Sequence, residues 1–339
     1  MRVKVFSIWI ILVLVTASCF EADEPVPPYS LPAGVDTLSL QKSIYDYQVY
    51  FDFSTGGIVS ENENGAWALS FECADSAYQI RINTADFWGL ARTGSSNMHA
   101  VFTPDPAYVW RADKSDGNPD STAVGSWVSF QEGIPDYSNE VYLLGKYDGI
   151  DYDLTKKLQF ISVNEEAYRF LIDDPDGSDP DTIEVLKDAR YNYTQFSLET
   201  NSGIQIEPQK DEWDLVFQQY FTILFTDDGI PTPYYVRGVL LNPNRVEAAL
   251  DTTIHFLDIS YNSAIQNIFS SAQDAIGHDW KSVEVDEASN SAEYKVRPGY
   301  TYLVRDTNNE LYKLRFKSFF NKSGVKGSPS IEFARLTPE

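Results

Sequence analysis

Three histidines are the side chains of this sequence best suited to hold a metal, because a neutral imidazole nitrogen is a strong ligand for transition metals. They are His99, His255 and His278, and they lie far apart in the chain. Met98 precedes His99, but adjacent side chains cannot easily bracket one iron from opposite sides. These four residues are therefore candidate ligands that the sequence alone does not assemble into a site.

Each histidine also has a structural interpretation, which we prefer at all three positions. His278 is expected to follow the end of a helix, where the helix dipole favours a cation. His99 follows a polar run typical of an exposed loop. His255 lies between two large apolar residues, where a packed strand histidine is expected. Tyrosine can ligate iron as well, but with 21 tyrosines the sequence selects none of them.

A strand near the C-terminus carries a basic face. Lys313, Arg315 and Lys317 alternate with apolar or small residues, which places three cations on one side of a strand. Because the chain holds only 26 basic against 50 acidic residues, such a cluster could contact an anionic ligand. A solvated face of an edge strand is the alternative, and it is the preferred interpretation.

Charge and motifs exclude several classes of function. The formal charge of −24 argues against a nucleic-acid partner, because phosphates would be repelled. The sequence lacks a Gly-x-Ser-x-Gly elbow, a phosphate loop and zinc-ligand spacing, so no enzymatic activity is predicted. The acidic run at 174–179 loosely suggests a calcium loop, but it lacks the bidentate glutamate. An acidic linker is favoured there, and no metal site is predicted.

The N-terminus predicts export. Two basic residues precede a short apolar run and then Thr16-Ala17-Ser18-Cys19, which is typical of a signal peptide at 1–18. The run is too short to cross a bilayer. The small residues before the cysteine resemble a bacterial lipobox, which makes Cys19 the predicted lipidation site; secretion without lipid is the alternative. Residues 19–39 are then expected to form an acidic, proline-containing tether.

Several short motifs occur twice, in the same order, and predict two similar modules. A spacing of about 150 residues between copies is too long for a solenoid repeat and is close to a small domain. The repeated pairs are Gly57-Ile58 with Gly203-Ile204, Trp67-Ala68-Leu69-Ser70-Phe71 with Trp213-Asp214-Leu215-Val216-Phe217, the segments around Trp127 and Trp280, and Lys157-Leu158-Gln159-Phe160 with Lys313-Leu314-Arg315-Phe316.

Period-two alternation and the many aromatic residues predict an all-β fold of mainly antiparallel sheets, with a few short helices. One such helix is predicted over 262–276, from apolar residues at helical spacing that end at Gly277. Cys73 alternates with apolar residues and is expected to be a buried free thiol. The predicted organisation is module 1 at 40–172, an acidic linker at 173–187 and module 2 at 188–339.

With these motifs in place, the chain resembles the HmuY family of haem-binding bacterial surface lipoproteins. The second module carries the resemblance through its residues 213–217, 274–281, 302–306, 312–316 and 324–327, and the first through residues 50–57 and 67–71. The resemblance implies an all-β lipoprotein at the outer membrane, exposed on the cell surface and anchored only by lipid. It also implies non-catalytic capture of haem for iron acquisition, with delivery to an outer-membrane transporter.

The family holds haem iron between two histidines, one of which follows the module tryptophan by five residues. This sequence has Glu132 and Val285 at those places. The candidate haem ligands are therefore His278, His99, Met98 and His255, and the candidate contacts to an anionic ligand are Lys313, Arg315 and Lys317. Two functions remain open: a surface protein that binds haem or a related small ligand, and a structural or adhesive lipoprotein whose modules bind a protein or glycan.

Overall fold

Antiparallel strands account for most of the molecule in a computed structural model of the chain, which confirms the predicted all-β class. The structure describes residues 32–226, 228–286 and 291–338. From residue 34 onward these residues form one compact unit. Within the described residues, no helix is long and apolar enough to span a bilayer. The predicted signal peptide and Cys19 lie outside the described part.

The first half of the described chain contains thirteen strands, most of them short. In chain order they are β1 (Asp36–Ser39), β2 (Tyr47–Asp52), β3 (Gly57–Glu63), β4 (Leu69–Glu72), β5 (Ile80–Ile82), β6 (Trp88–Arg92), β7 (Trp110–Arg111), β8 (Val128–Gln131), β9 (Ile134–Tyr137), β10 (Val141–Tyr147), β11 (Tyr152–Val163), β12 (Ala167–Asp173) and β13 (Asp181–Leu186).

The second half adds ten strands and one short α-helix. They are β14 (Tyr193–Ser197), β15 (Ser202–Ile204), β16 (Leu215–Phe225), β17 (Pro231–Leu241), β18 (Glu247–Asp251), helix α1 (Tyr261–Ala264), β19 (Lys281–Asp286), β20 (Ser291–Val296), β21 (Thr301–Arg305), β22 (Leu311–Phe320) and β23 (Lys326–Leu336).

Four sheets carry the architecture. Large sheet 1 has the order β13-β12-β11-β10-β6-β7, and large sheet 2 has the order β1-β23-β22-β21-β18. Small sheet 1 is β15-β14-β4-β5, and small sheet 2 is β3-β2-β16-β17. The hairpins β8–β9 and β19–β20 form separate two-stranded sheets.

The two large sheets correspond strand for strand over their central part. Strands β6, β10, β11 and β12 occupy the same order in large sheet 1 as β18, β21, β22 and β23 in large sheet 2. The repeated motifs lie on corresponding strands, since Lys157 is in β11 and Lys313 in β22, while Leu69 begins β4 and Leu215 begins β16. This order is what a repeated module predicts, and the duplication itself stays a prediction.

The halves exchange hairpins, which the sequence did not predict. The β2–β3 hairpin of the first half pairs with β16 in small sheet 2, where Phe51 lies opposite Leu215. The β14–β15 hairpin of the second half pairs with β4 in small sheet 1, where Phe196 lies opposite Leu69. Backbone hydrogen bonding alone cannot select between two equivalent partner strands, so this choice is made by tertiary packing.

The exchange corrects the predicted boundaries. Residues 181–186 of the predicted acidic linker form β13, an edge strand of large sheet 1. Residues 36–39 of the predicted tether form β1, which pairs with β23. Core 1 is built from buried residues between 68 and 196, whereas core 2 combines residues 40–53 with residues 215–333. A cut at 173–187 would therefore leave each core incomplete.

Each core is centred on one repeated tryptophan. Trp127 lies in core 1 with its ring centroid 5.6 Å from Phe160. Trp280 lies in core 2 and stacks on Phe316 at 3.9 Å. Phe160 and Phe316 are the last residues of the repeated Lys-Leu-x-Phe motif. Burial of large aromatic rings dominates the energetics of such cores.

The predicted helix over 262–276 is wrong beyond its first turn. Helix α1 ends at Ala264, and its N-cap is Ser260, which forms a capping box with Ser263. The segment that follows is irregular and pairs at isolated positions, Ser270 with Ala248 and Gly277 with Val239. Its apolar residues recur at helical spacing, but contacts to neighbouring strands override that local preference.

Candidate functional site

The predicted haem ligands are not brought together. His278 is half-buried, with its Nδ1 3.5 Å from the Tyr220 hydroxyl and its Nε2 3.5 Å from Asp279 Oδ1. Burial lowers the pKa of His278, and Lys281 acts in the same direction while Asp279 opposes it. Because no helix precedes it, the expected interaction with a helix dipole is absent.

His99 and Met98 point into different environments. Met98 is buried, whereas His99 is exposed and places its Nδ1 2.9 Å from the carbonyl oxygen of Ser178. The exposed-loop interpretation of His99 is therefore confirmed. His255, expected as a packed strand histidine, is exposed instead and caps a short 3-10 helix at Phe256–Asp258. Its Nδ1 accepts a hydrogen bond from the backbone N–H of Leu257.

The basic face of β22 is not a solvated edge. Strand β22 is central in large sheet 2, and Lys313 is buried with its Nζ 3.0 Å from the carbonyl oxygen of Ile259. Arg315 and Lys317 both form ion pairs with Glu332. Phe256 covers the face, since its ring lies within 5.0 Å of Lys313 Nζ and 4.3 Å of the Arg315 guanidinium. Lys313 and Arg315 are therefore engaged in internal contacts, whereas Lys317 is exposed.

Cys73 is buried and free, as predicted, with its sulfur 3.3 Å from the Thr194 hydroxyl. The acidic run at 174–179 forms the turn between β12 and β13. Among the residues that the structure describes, no three His, Cys, Asp or Glu side chains are placed to hold a metal ion.

An aromatic cleft is the most distinctive concave surface. Its volume is about 530 Å³, within the range of roughly 300–1,000 Å³ that is usual for small-molecule sites. It is formed where β6, β7, β10 and β11 of large sheet 1 face β16 and β17 of small sheet 2. Seven of its ten lining residues are aromatic, and the full set is Phe87, Trp110, Ala112, Tyr147, Tyr152, Phe221, Pro233, Tyr234, Tyr235 and Arg237.

One wall of the cleft is a pair of stacked rings laid flat on the sheet. Trp110 and Tyr152 stack with centroids 4.7 Å apart and an interplanar angle of 14°. They can do so because Gly89 and Gly145 lie opposite each other in β6 and β10. A Cβ at Gly89 would come within 2.2 Å of the Tyr152 ring, and one at Gly145 within 2.5 Å of the Trp110 ring. The two glycines therefore define this wall.

Tyr235 joins the two sides of the cleft. Its ring lies 4.7 Å from Phe87, 5.7 Å from Phe221 and 6.2 Å from Tyr147, centroid to centroid. Its hydroxyl is buried without a well-formed hydrogen bond, although Tyr152 is close enough to affect its titration. Burial, reinforced by Tyr152, raises the pKa of Tyr235 above its usual value, and burial also raises the pKa of Tyr152.

Arg237 is the one charged residue among those lining the cleft. Its guanidinium lies 4.0 Å from the Tyr45 ring and donates to the Tyr235 carbonyl oxygen at 3.0 Å. Its Nε is buried without a hydrogen-bond acceptor. Burial lowers the pKa of Arg237, although the arginine remains cationic because its ordinary value is so high.

A second, smaller pocket of about 120 Å³ lies between small sheets 1 and 2. Glu207, Asp113 and Arg81 line it. Burial raises the pKa of Glu207 to about 8, against a hydrogen bond of 2.7 Å from the Tyr193 N–H that lowers it. Burial likewise raises the pKa of Asp113 to about 6. The cavity has room for a few water molecules but not for a typical organic ligand.

The aromatic cleft could not be predicted from the sequence, because its residues come from segments spread between 87 and 237. A local signal existed in the run Pro233-Tyr234-Tyr235-Val236-Arg237, where two aromatics and a cation meet in an acidic chain. The glycines at 89 and 145 were a second signal, since glycine in a strand often marks close approach of another group.

Comparisons with known proteins agree with the resemblance in the second half. Solved structures that align with the chain include apo PinO from Porphyromonas gingivitis (9% identity, 91% of this chain, 100% of that chain, TM-score 0.25). A candidate HmuY-like haem-binding protein from Bacteroides vulgatus aligns at 17% identity over 54% of this chain and 93% of that chain, with a TM-score of 0.21. An apo HmuY analogue from Tannerella forsythia aligns at 8% identity over 90% of this chain and 96% of that chain, with a TM-score of 0.23. No curated protein matches. The family model described as HmuY protein matches residues 189–333, which lie in the second half of the chain.

Proposed function

We propose that this protein is a non-catalytic binding protein whose ligand is haem or a related planar tetrapyrrole, held in the aromatic cleft. The observation that carries the proposal is the cleft itself: seven aromatic rings around about 530 Å³, with one cation at the wall. A flat, largely apolar macrocycle gains from stacking on such rings, and its acidic side chains gain from a nearby guanidinium. The match of residues 189–333 to the HmuY family model supports the same ligand class.

In this cleft the haem iron would be coordinated by an oxygen atom rather than by a nitrogen or sulfur atom. None of His99, His255, His278 and Met98 lines it. Tyrosine is the only residue type along its walls that can ligate haem iron. The buried Tyr235 hydroxyl, which has no well-formed hydrogen bond, is the best-placed candidate. Its raised pKa opposes ionisation, so coordination would have to displace the phenolic proton.

The proposed setting is the outer surface of a bacterial cell. The signal-peptide and lipobox patterns support attachment of the mature protein to the membrane through lipid at Cys19, and the acidic residues that follow fit surface display. Capture of haem for an outer-membrane transporter is the role that the family suggests. Detection of the acylated N-terminal peptide by mass spectrometry, and its loss in Cys19→Ser, tests the anchor.

Titration of the apoprotein with haemin tests ligand binding. A saturable Soret shift is expected in the wild type and in a variant lacking all three histidines. Tyr234→Ala should weaken binding about tenfold by removing a cleft ring, because stacking of this kind is worth about 1 kcal/mol or more. Tyr78→Ala is the matched control, since Tyr78 is also an exposed tyrosine but lies outside the cleft, against Phe130.

Two results would contradict the proposal. A flat titration would favour the alternative, a structural or adhesive surface protein. Loss of the Soret shift in the variant without histidines, with Tyr234→Ala unaffected, would move the site away from the cleft and restore histidine ligation.

A further inference from the structure

Arg237 is unusual among the cations of this protein. The chain has 50 acidic and 26 basic residues, and most arginines of the described part pair with a carboxylate. Arg237 forms no ion pair in the described part, and its buried Nε–H lacks an acceptor. A buried donor left unpaired costs about 1–3 kcal/mol. The fold therefore maintains an unfavourable arrangement at the wall of the aromatic cleft.

The surroundings of Arg237 are cationic and aromatic. Burial lowers the pKa of Arg237, and the titratable neighbours that oppose this are Tyr45, Tyr294 and Tyr234, without a carboxylate among them. Lys281 is buried next to it: burial lowers the pKa of Lys281 to about 7, Arg237 acts in the same direction and Asp279 opposes both. No carboxylate of the described part forms an ion pair with Arg237 at this wall, although the molecule as a whole is strongly negative.

Several contacts fix the position of Arg237. The Tyr45 ring lies 4.0 Å from the guanidinium, and Lys326 Nζ lies 5.3 Å from the centroid of the same ring. Lys281 donates a hydrogen bond to the Arg237 backbone carbonyl oxygen. The adjacent Gly238 packs against the backbone of Gly277, where a Cβ would come within 2.3 Å of the carbonyl oxygen. An arginine held this firmly loses little entropy when it binds an anion.

We propose that Arg237 is the specificity-determining residue of the cleft and selects ligands that carry a carboxylate at the edge of a flat ring system. The guanidinium of Arg237 then binds the carboxylate oxygens while the aromatic walls hold the rings. This inference rests on the proposed function and narrows it. A neutral or esterified macrocycle of the same shape is a poor ligand.

The test compares haemin with its dimethyl ester, which keeps the ring and the iron but has no carboxylate. The wild type is expected to bind haemin at least tenfold more tightly than the ester, and added salt should reduce the difference. In Arg237→Gln the two affinities should agree within about twofold, through loss of haemin affinity alone. The preference of Arg237→Lys for haemin over the ester should lie between those of the wild type and Arg237→Gln, because lysine keeps the charge but lacks the planar guanidinium.

Arg111→Gln is the matched control, since Arg111 is an exposed arginine next to Trp110 that does not line the cleft. It should retain the full preference for haemin. Equal binding of haemin and ester by the wild type, or an unchanged preference in Arg237→Gln, overturns this inference and leaves the proposed function standing. Failure of the folded wild type to bind either compound overturns both.

Discussion

Large sheets 1 and 2 bury a lysine at the same repeated position but neutralise it differently. Lys157 is fully buried, donates to the carbonyl oxygens of Ala100 and Gly177, and lies 3.8 Å from Asp173. Lys313 donates to the carbonyl oxygen of Ile259, and no carboxylate of the described part forms an ion pair with it. The two sheets share the order of their central strands, whereas the groups that contact the buried ammonium differ between the two halves.

Two of the three histidines lie in the loops that cover these buried lysines. Met98 and His99 belong to the loop after β6, and His255 belongs to the loop after β18, the corresponding strand. In the first half, Gln159 holds the loop by donating to the Ser96 carbonyl oxygen at 3.0 Å. In the second, Arg315 lies over Phe256 while it pairs with Glu332. His99 and His255 thus lie in the loops that supply carbonyl oxygens to the two buried lysines.

Removal of either core tryptophan should have the largest effect. Trp127→Ala and Trp280→Ala are each expected to lower the free energy of unfolding by about 3–5 kcal/mol, because a buried aromatic leaves a cavity. Since the hairpins are exchanged between the halves, either variant should shift one common transition. Urea unfolding followed by far-UV circular dichroism and by fluorescence measures this. Two separate transitions, with only one of them shifted, would instead indicate independent modules.

Glu207 and Glu61 follow the repeated Gly-Ile motif at the same distance, but only Glu207 is buried. Its pKa is raised to about 8, so the folded state retains a proton that the unfolded chain loses near pH 4.5. Stability from this group is therefore greatest at low pH and falls as pH rises to about 8. Glu207→Gln should be more stable than the wild type at pH 8.5 by about 3–4 kcal/mol.

The same variant should lose that advantage near pH 4. Thermal unfolding across this pH range measures the difference, with Glu61→Gln as the control that leaves the profile unchanged. A wild-type profile that is parallel to that of Glu207→Gln would show that Glu207 ionises normally in the folded protein.

The two buried lysines should differ when replaced by methionine. Lys157→Met leaves Asp173 and two carbonyl oxygens without their cation, and we expect a loss of about 2–3 kcal/mol. Lys313→Met removes an ammonium group whose pKa burial already lowers, and we expect a loss below about 1 kcal/mol. Urea unfolding at pH 7 distinguishes the two variants. Equal losses would mean that the different partners of the two lysines do not matter.

The smallest expected difference concerns the indole N–H groups. Trp127 Nε1 donates to the Tyr78 carbonyl oxygen at 2.8 Å, whereas Trp280 Nε1 is buried without a partner. Trp127→Phe should therefore cost about 1 kcal/mol more than Trp280→Phe, which removes an unpaired donor. This free-energy difference is measured from the urea midpoints of the two variants, provided that their unfolding free energies depend on urea concentration with the same slope. A larger cost for Trp280→Phe would show that stacking on Phe316 outweighs the hydrogen bond.

The strands and the buried positions could be predicted from the sequence because side-chain alternation is a local property. Lys313-Leu314-Arg315-Phe316 was correctly placed in a strand, and the burial of Cys73 was correct. The burial of Lys313 was not predicted, since it depends on a loop more than fifty residues away in the chain. The helix over 262–276 failed for a related reason, because neighbouring strands compete with local helical spacing.

The all-β class, the paired order of the repeated motifs and the separation of the histidines along the chain can be read from the sequence. Which hairpin joins which sheet, and that Phe87, Trp110, Tyr152, Tyr235 and Arg237 line one cleft, emerge only in the folded molecule. The physical reason is that alternation specifies which side of a strand is apolar, whereas the choice of partner strand depends on packing between residues distant in the chain. The cleft arises at a junction that no single segment encodes.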